Sequence, residues 1–563
     1  MQRHTLLPHT ETIQVLLHAK IRPISQTYTL KDFFHSDGPN LKKICKDYLK
    51  SRRLENFREP AFTLKSNLSC PDLKRLRNVL KAQKSLSQIL YSLETSSSTK
   101  KERRLFFLAV KRSSCLSSLT LASCNPRLLT FLFANLASLK KLKELKFLLS
   151  FDQTQAKKVF PRWMKFLKRM KTLANLSLKF NNMQAFDNFL PGVQKFPQLR
   201  VLQIKVFERE DLETCTASLA PILPRLIFLQ KFILSFAYST IPDSSAYQLF
   251  AILQSLKMLS SLKLGFLNDF KGGQKSFSEC LESFDHTQIR ELRFKFNGNY
   301  HQKKLIQLSQ ALEKFTNLKS LQLHFSQCYS FKQPEMLMFS TALSSLVLLE
   351  SLNLYFYSRY TNNLLLQNIA SALRSLCRLV RLKLHFCCHI QASNDDVQQL
   401  FTNLKDLKSL QCFVVDFTSR IAITDKELEI LSQSLTGLVL LKDLRFYFPG
   451  TKQITNQGIE AIANAVQCLK KLSNLELMFG DLCKVDEEGI CKIGEALQNL
   501  RFLSSVLLNL RGLSKGKNLA NFFTELKQIK SQAKISIDLP KFMKSCCEEG
   551  VLLRKENVNE DFM

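Results

Sequence analysis

Glycine and proline are scarce in this chain, with 15 residues of each among 563, and there is a single tryptophan. This scarcity excludes a collagenous chain and argues against a largely disordered one. A single hydrophobic core rarely grows beyond about 250–300 residues, so the length calls for several domains or an array of repeats. The 44 phenylalanines supply ample material for a long core.

Acidic residues are also few relative to basic ones: 47 Asp and Glu stand against 81 Lys and Arg, a net charge of +34. Such an excess favours an acidic partner, which could be nucleic acid, an anionic membrane surface or an acidic protein. A lysine-rich surface that is merely solvated is the alternative. The charge carries no information about the fold.

Cysteine pairs with the spacing of metal or redox motifs are missing, although the chain has 16 cysteines. No Cys-x-x-Cys pair occurs, and no Cys/His spacing matches a zinc module. Several cysteines, such as Cys280 and Cys468, lie within apolar runs. We therefore expect reduced thiols in a cytoplasmic or nuclear protein, and no metal or cofactor.

Long apolar runs are absent too. No stretch approaches the roughly 20 apolar residues of a membrane span, and the most apolar region, 219–234, is interrupted by Arg225 and Lys231. The first thirty residues have no uninterrupted apolar core of the signal-peptide type. Arg3, Lys20 and Arg22, with few acids around them, leave a mitochondrial presequence as an alternative.

One phrase recurs along the chain: an apolar residue, two variable positions, an apolar residue, one variable, an apolar residue, one variable, and usually Phe. It reads Leu173-x-x-Leu176-x-Leu178-x-Phe180 in one early copy. About fourteen copies, mostly spaced by about 30 residues, are predicted to form strands that stack on one another. Their second apolar residues are Leu119, Leu145, Leu176, Leu202, Phe232, Leu262, Leu292, Leu321, Leu352, Leu382, Phe413, Leu444, Leu475 and Val506.

Between these phrases the apolar spacing changes from two to roughly 3.6 residues, which predicts a helix in each repeat. One helical face carries Ile459, Ile462, Ala463, Val466 and Leu469. Plausible N-caps precede two of the helices: Thr455 stands before 456–458, and Ser393 or Asn394 before 395–396. Each repeat is therefore predicted to be a strand, a loop and a helix.

The phrase resembles the leucine-rich repeat, and its length is similar to that of the ribonuclease-inhibitor-like class. Residues 454–459 (ITNQGI) and 485–490 (VDEEGI) resemble the loop-to-helix segment of that class. The style is also similar to the divergent repeat arrays common in ciliate proteins. The resemblance covers about residues 106–515 and implies an α/β solenoid of about fourteen repeats, with a curved parallel sheet inside and helices outside. It says little about function.

The chain departs from that family after the strand, where family repeats place Asn or Cys. Asn181 and Asn297 keep this residue type, but Phe207 and Leu267 do not. Phenylalanine usually fills the preceding position, which predicts a stack of phenyl rings within the core.

Three regions are predicted. Residues 1–105 form a basic N-terminal region with a helical cap that begins near Pro71 and has Leu73, Leu76, Val79, Leu80, Ile89 and Leu90 on one side. Residues 106–515 form the solenoid, after a polar linker at 94–104. Residues 516–563 form a C-terminal cap and tail, with a last strand at 535–539 and an acidic finish near 556–561.

Alternate residues of a strand point to opposite faces, so the variable positions of the phrase should face the concave surface. Many of them are basic, particularly in the first two-thirds of the array, whereas Asp416, Asp443 and Glu476 make the later part mixed. The predicted partner-binding residues are Lys146, Lys179, Lys205, Lys231, Lys263, Arg293, Lys295, Tyr355, Arg381, Lys383 and Arg445.

This surface favours a non-enzymatic interaction scaffold that holds an acidic protein partner. A nucleic-acid-associated protein, with RNA on the same face, is the main alternative; its binding would depend steeply on salt. Aromatic side chains interleaved with basic ones would support that alternative, but only His324, Tyr355 and Tyr447 stand in these columns.

No phosphate-cradling glycine loop and no GxSxG or HExxH motif occurs, so no catalytic centre is predicted. The leucine-rich-repeat resemblance implies a further alternative, a substrate receptor of a ubiquitin ligase or a regulator of a small GTPase. No convincing F-box is found in residues 1–105.

Two local motifs have alternative interpretations. The segment His385-Phe386-Cys387-Cys388-His389 offers four soft ligands for a metal, but alternate strand residues diverge, and ordinary repeat residues are the preferred interpretation. The basic runs at 50–53 and 100–104 resemble nuclear-import patches, but such runs are more often solvated linkers, which is the preferred interpretation. The partner and the oligomeric state do not follow from the sequence.

Overall fold

A computed structural model gives the arrangement of the chain. It describes residues 13–17, 61–64, 88–92, 117–122, 141–149, 170–180, 183–206, 212–236, 243–266, 281, 286–297, 302–326, 333–357, 364–386, 393–417, 421, 423–448, 453–480, 484–510, 513, 520–527, 529, 534–538 and 551–555. Two compact units are present. The N-terminal unit comprises Pro23–Phe296, and the C-terminal unit comprises Met1–Arg22 with Asn297–Met563.

Strands recur at the predicted interval. In chain order they are β1 (Ile13–Leu17), β2 (Ala61–Leu64), β3 (Gln88–Ser92), β4 (Ser118–Ala122), β5 (Glu144–Leu149), β6 (Asn175–Phe180), β7 (Val201–Val206), β8 (Lys231–Phe236), β9 (Ser261–Phe266), β10 (Glu291–Asn297), β11 (Ser320–Ser326), β12 (Ser351–Tyr357), β13 (Arg381–Phe386), β14 (Cys412–Asp416), β15 (Asp443–Phe448), β16 (Asn474–Phe479), β17 (Ser505–Asn509), β18 (Lys534–Asp538) and β19 (Val551–Lys555).

Within the described residues, α-helices alternate with the strands from β6 to β9 and from β10 to β18. The α-helices are α1 (Met183–Val193), α2 (Leu212–Leu219), α3 (Asp243–Gln254), α4 (Gln302–Glu313), α5 (Gln333–Ser345), α6 (Leu364–Leu373), α7 (Asn394–Asn403), α8 (Asp425–Thr436), α9 (Asn456–Cys468), α10 (Glu487–Gln498) and α11 (Ala520–Lys527). Short 3-10 turns lie at Leu223–Arg225, His286–Gln288 and Leu404–Asp406. None of the helices in the described ranges is long and apolar enough to cross a membrane.

Each unit is an α/β repeat solenoid. In the N-terminal unit, β2 to β10 pair in sequential order and in parallel. In the C-terminal unit, β11 to β18 do the same. Parallel neighbours need a crossover connection, and α-helices provide it between the strands from β6 to β9 and from β10 to β18. The predicted α/β solenoid of about fourteen repeats is confirmed.

The register of the strands aligns the marking residues of the phrase. Leu145 pairs with Leu119 and Leu176, and Leu382 pairs with Leu352 and Phe413. All fourteen marking residues lie in strands β4 to β17 and are at most 2% exposed. Because no repeat can cover its own apolar side, each depends on its neighbours in the ladder.

Phenylalanine rings stack along the C-terminal unit, as predicted. Phe325, Phe356, Phe386, Phe417 and Phe448 follow one another at centroid distances of 5.2, 5.9, 5.4 and 5.7 Å, with interplanar angles of at most 20°. Four of these rings occupy the last core position of β11, β12, β13 and β15, and Phe417 directly follows β14. The fixed repeat length brings the same side chain into register.

The two predicted N-caps are also present. The Ser393 hydroxyl accepts a hydrogen bond from the backbone N–H of Asp396, and the Asp396 carboxylate accepts one from the backbone N–H of Ser393. The Thr455 hydroxyl accepts a hydrogen bond from the backbone N–H of Gln457. Each cap satisfies donors that the first helical turn leaves unpaired.

The ends of the chain differ from the prediction in one respect. Ile89 and Leu90, which we expected on the N-terminal helix, lie in strand β3, and Ile89 pairs with Leu119 of β4. A short apolar run is compatible with a helix or a strand, and here the hydrogen bonds to β4 favour the strand. Leu73, Leu76, Val79 and Leu80 lie outside the described residues.

The C-terminal strand predicted at 535–539 is confirmed as β18, which pairs in parallel with β17. Strand β1 runs antiparallel to β18 and to β19. The region boundaries at residues 105 and 515 stay predictions.

Candidate partner-binding face

Alternate residues of each strand face away from the helices, and we call the side of the sheet that they form the open face. Strands β6, β7 and β8 show the pattern clearly, since buried residues alternate with half-buried ones. The register gathers the open-face residues into three columns. The first column holds Lys231 and Arg381, the second Lys146, Lys263, Arg293, Lys383 and Arg445, and the third Lys179, Lys205, Lys295 and Tyr355.

Two of these lysines in the N-terminal unit share one carboxylate. Glu291 lies 2.6 Å from Lys263 Nζ and 3.2 Å from Lys231 Nζ, and it accepts a hydrogen bond of 2.5 Å from the Ser261 hydroxyl. Burial alone would raise the pKa of Glu291, but the hydrogen bonds from Lys263 and Ser261 and the two ammonium charges lower it to about 2. This pairing reduces the charge that Lys231 and Lys263 can offer to a partner.

Other predicted cations are paired as well. Lys146 Nζ lies 2.9 Å from Glu144 on the same strand. In the C-terminal unit, Arg445 Nε lies 2.8 Å from Asp443, and its Nη1 lies 3.6 Å from Glu476. A cation that already has a carboxylate partner gains less from a further acidic ligand, because it must exchange one charge partner for another.

Four cations of the N-terminal unit lie together without an acidic partner within the described ranges: Lys179, Lys205, Arg293 and Lys295, which we call the cationic cluster. Burial lowers the pKa of Lys205, and the charges of Lys179 and Arg293 lower it further. Burial likewise lowers the pKa of Lys295, and Arg293 and Lys205 add to the effect. The cluster therefore holds mutually repelling charges that an anion would stabilise.

The centre of the cationic cluster is formed by small residues. In the third column the register runs from Lys205 to Ser235, then Gly265, then Lys295. A Cβ atom at Gly265 would lie 2.8 Å from Ser235 Oγ, so the serine side chain already occupies the space over the glycine. Between Lys205 and Lys295, the third column therefore carries only small residues, one of which has a hydroxyl group. We call Ser235 and Gly265 the floor of the cationic cluster.

The C-terminal unit presents aromatic rings in the third column. Tyr355 packs edge-on against His324 with ring centroids 5.3 Å apart, and it stacks on His385 at 4.3 Å. His385 Nδ1 lies 3.3 Å from the Asp416 carboxylate. We call His324, Tyr355 and His385 the aromatic row.

Arg381 and Lys383 accompany the aromatic row on strand β13, next to His385. Arg381 is exposed and Lys383 is half-buried. Neither forms an ion pair within the described part of the chain. This second group of cations differs from the cationic cluster because aromatic rings stand beside it.

The described residues contain no group of three or more His, Cys, Asp or Glu side chains that could hold a metal ion. His385 is engaged with Asp416 and Tyr355, and Phe386 is buried in the core. Cys387, Cys388 and His389 lie outside the described residues, as do the basic runs at 50–53 and 100–104.

Sequence reasoning named every member of the cationic cluster but missed how unequal the predicted cations are. Glu144 and Glu291 were visible in the basic columns, and their positions could have indicated which lysines are paired. Ser235 and Gly265 carried no signal by themselves, because a small residue in a variable column becomes informative only when its neighbours are known.

Comparison with known proteins adds no relative: no family model matches the chain, and no curated protein matches it.

Proposed function

We propose that this chain is a non-enzymatic leucine-rich-repeat scaffold that binds an acidic protein segment on its open face, through the cationic cluster. The repeat phrase supports the family, as does the strand in each thirty-residue unit, which is followed by a helix from β6 to β8 and from β10 onwards to β17. The observation that carries the function is the grouping of Lys179, Lys205, Arg293 and Lys295 without a carboxylate partner among the described residues.

The physical argument rests on burial and repulsion together. Holding several cations at a partly buried surface costs free energy: burial lowers the pKa of both Lys205 and Lys295, and the charges of the neighbouring cations lower it further. A bound carboxylate removes that cost and adds charge-assisted hydrogen bonds. Complementary charge also steers the encounter and accelerates association at low salt.

The test combines partner isolation with charge reversal. Affinity purification of the full chain, with and without nuclease, followed by mass spectrometry, identifies proteins whose capture does not depend on nucleic acid. The purified partner is then titrated against the wild-type chain and against a double variant, Lys205→Glu with Lys295→Glu. We expect the double variant to bind at least about 10-fold more weakly, a loss of about 1.4 kcal/mol or more.

A matched control carries the same change of charge elsewhere in the N-terminal unit. Lys195 and Lys257 are exposed in the turns that precede β7 and β9, and Lys195→Glu with Lys257→Glu should bind the partner as the wild type does. Equal circular-dichroism spectra of the two double variants exclude unfolding. Equal weakening by both would mean that net charge, rather than the cationic cluster, governs binding, and the proposal would fail.

RNA binding is a second candidate, and the aromatic row with Arg381 and Lys383 favours it. Aromatic side chains beside cations are the usual platform for single-stranded nucleic acid. One face of Tyr355 is already covered by His385, however, and the edge-on ring of His324 stands on its other side. This leaves less ring surface for bases, and the aromatic row lies in a different unit from the cationic cluster, so a protein partner is the first candidate.

Salt distinguishes the two candidates. Neutralising several phosphates releases counterions, so the affinity for RNA should fall by orders of magnitude between about 50 and 200 mM salt. An RNA titration that shows this slope, together with loss of the captured protein after nuclease treatment, would favour the second candidate.

A further inference from the structure

The cationic cluster concentrates more charge than a single carboxylate can compensate. Burial lowers the pKa of Lys205 and Lys295, and nearby charges lower it further: those of Lys179 and Arg293 act on Lys205, and those of Arg293 and Lys205 act on Lys295. One glutamate would bring one negative charge to these four cations. A ligand with about two charges on one compact group compensates them better.

The register places Lys205 and Lys295 on either side of two small residues. Lys205 and Lys295 are separated by three inter-strand steps through Ser235 and Gly265, or about 14 Å at about 4.8 Å for each step. The four-carbon stem of each lysine can incline over the small residues between them, because neither Ser235 nor Gly265 has a long side chain. An anion of a few ångströms across would then contact both ammonium groups.

The remaining groups suit a tetrahedral anion. Arg293 presents a planar guanidinium that can donate two parallel hydrogen bonds to two oxygens of one group. The Ser235 hydroxyl, which lies over Gly265, can donate a further one. A phosphoryl group carries a charge of about −1.5 to −2 near neutral pH and three acceptor oxygens, whereas a carboxylate has two oxygens.

We therefore propose that Lys205, Arg293 and Lys295, over the floor of Ser235 and Gly265, bind a phosphoryl group on a phosphorylated side chain of the acidic partner. This inference rests on the proposed function and specifies the ligand of the same site. Phosphorylation of the partner would then regulate its capture by adding the group that the cationic cluster recognises.

The site is tested directly by titration with O-phospho-L-serine as the probe. The binding of the probe to the full chain is followed by ³¹P NMR at about 150 mM salt. A single small anion should bind weakly, with a Kd on the order of 1 mM. The variants Lys205→Gln and Lys295→Gln should each weaken it by about 10-fold, and Ser235→Ala by about 3-fold, in keeping with the loss of one charge-assisted bond or one neutral bond. L-Glutamate should displace the probe at least about 10-fold less effectively than inorganic phosphate.

Two controls identify the site. Lys195→Gln and Lys257→Gln each remove one exposed charge of the same unit and should leave the Kd of the probe unchanged. Binding that these variants weaken as much as Lys205→Gln does, or displacement by glutamate as effective as by phosphate, would overturn the inference.

The two proposals fail in different ways. If phosphatase treatment of the captured partner leaves its affinity unchanged while Lys205→Glu with Lys295→Glu still abolishes it, the phosphoryl inference fails and the acidic-partner scaffold stands. If that double variant retains the partner, the proposed function itself fails. A single-stranded RNA 12-mer that displaces O-phospho-L-serine, and loses affinity in Lys205→Gln, would assign the phosphoryl group to nucleic acid instead of a phosphorylated protein.

Discussion

Replacing Gly458 by alanine tests how neighbouring repeats are joined at the start of their helices. Gly458 lies in the first turn of α9, and its N–H donates a hydrogen bond of 3.1 Å to the Asp425 carboxylate of the preceding repeat. The same carboxylate accepts the Thr455 N–H at 2.9 Å and the Thr455 hydroxyl at 2.6 Å. A Cβ atom at residue 458 would overlap Asp425 Oδ1 and lie 3.0 Å from a methyl carbon of Leu428.

The expected cost follows from these contacts. Displacing the carboxylate removes at least one charge-assisted hydrogen bond, worth about 1.5–3 kcal/mol, and crowding of Leu428 adds about 1 kcal/mol or more. Alanine gains at most about 1 kcal/mol in helix propensity over glycine. The net destabilisation by Gly458→Ala should therefore be about 2 kcal/mol, although alanine is ordinarily the better helix former.

Two comparisons isolate the cause. Gly437 ends α8 at a φ of −83°, and a Cβ there would meet only the flexible end of Lys408, so Gly437→Ala should change stability by less than about 0.5 kcal/mol. In an Asp425→Ala background, Gly458→Ala should cost at least about 1 kcal/mol less than in the wild type, because the main clash is gone.

The assay is urea unfolding followed by circular dichroism, together with hydrogen exchange of the α9 amides. The exchange measurement is needed because long repeat arrays do not unfold in one step. A Gly458→Ala variant that is as stable as the wild type, or whose cost is the same without Asp425, would refute the reasoning.

Three further predictions follow from other contacts. Phe386→Ala should destabilise the C-terminal unit by about 3–5 kcal/mol, measured by urea unfolding, because it leaves a cavity between two stacked rings. A loss of unfolding free energy no larger than that of a surface substitution would contradict the phenylalanine stack. The pKa of Glu291 in the folded protein is about 2, below its ordinary value, so its contribution to stability is complete at pH values above the ordinary pKa and is lost as the pH falls towards 2. Glu291→Gln should therefore make the unfolding midpoint less sensitive to acid. An unchanged pH profile would oppose the pairing with Lys263. Burial raises the pKa of the Cys215 thiol well above its ordinary value, whereas Cys468 is exposed. Iodoacetamide should therefore alkylate Cys468 in the native protein and spare Cys215 until urea is added. Peptide mass spectrometry measures both modifications.

Much of the fold was predictable from the sequence because the signals are local. Strand positions such as Leu382 and Phe413, and helix starts such as Ser393 and Thr455, follow from spacing and from the chemistry of capping side chains. Near the N-terminus the same reasoning was wrong for Ile89 and Leu90, since a short apolar run without a clear period does not distinguish a helix from a strand.

The candidate site was predictable only as a column of side chains. That Lys205, Lys263 and Lys295 face away from the helices follows from the alternation of apolar and variable residues along each strand, which depends on neighbouring residues alone. The pairing of Glu291 with Lys263 and with Lys231, which lies 60 residues away in the chain, could be seen only in the folded sheet. The same holds for the grouping of Lys205 and Lys295 with other cations. Ion pairing depends on distances across the sheet, and these distances are set by register and side-chain length rather than by the order of residues in the chain.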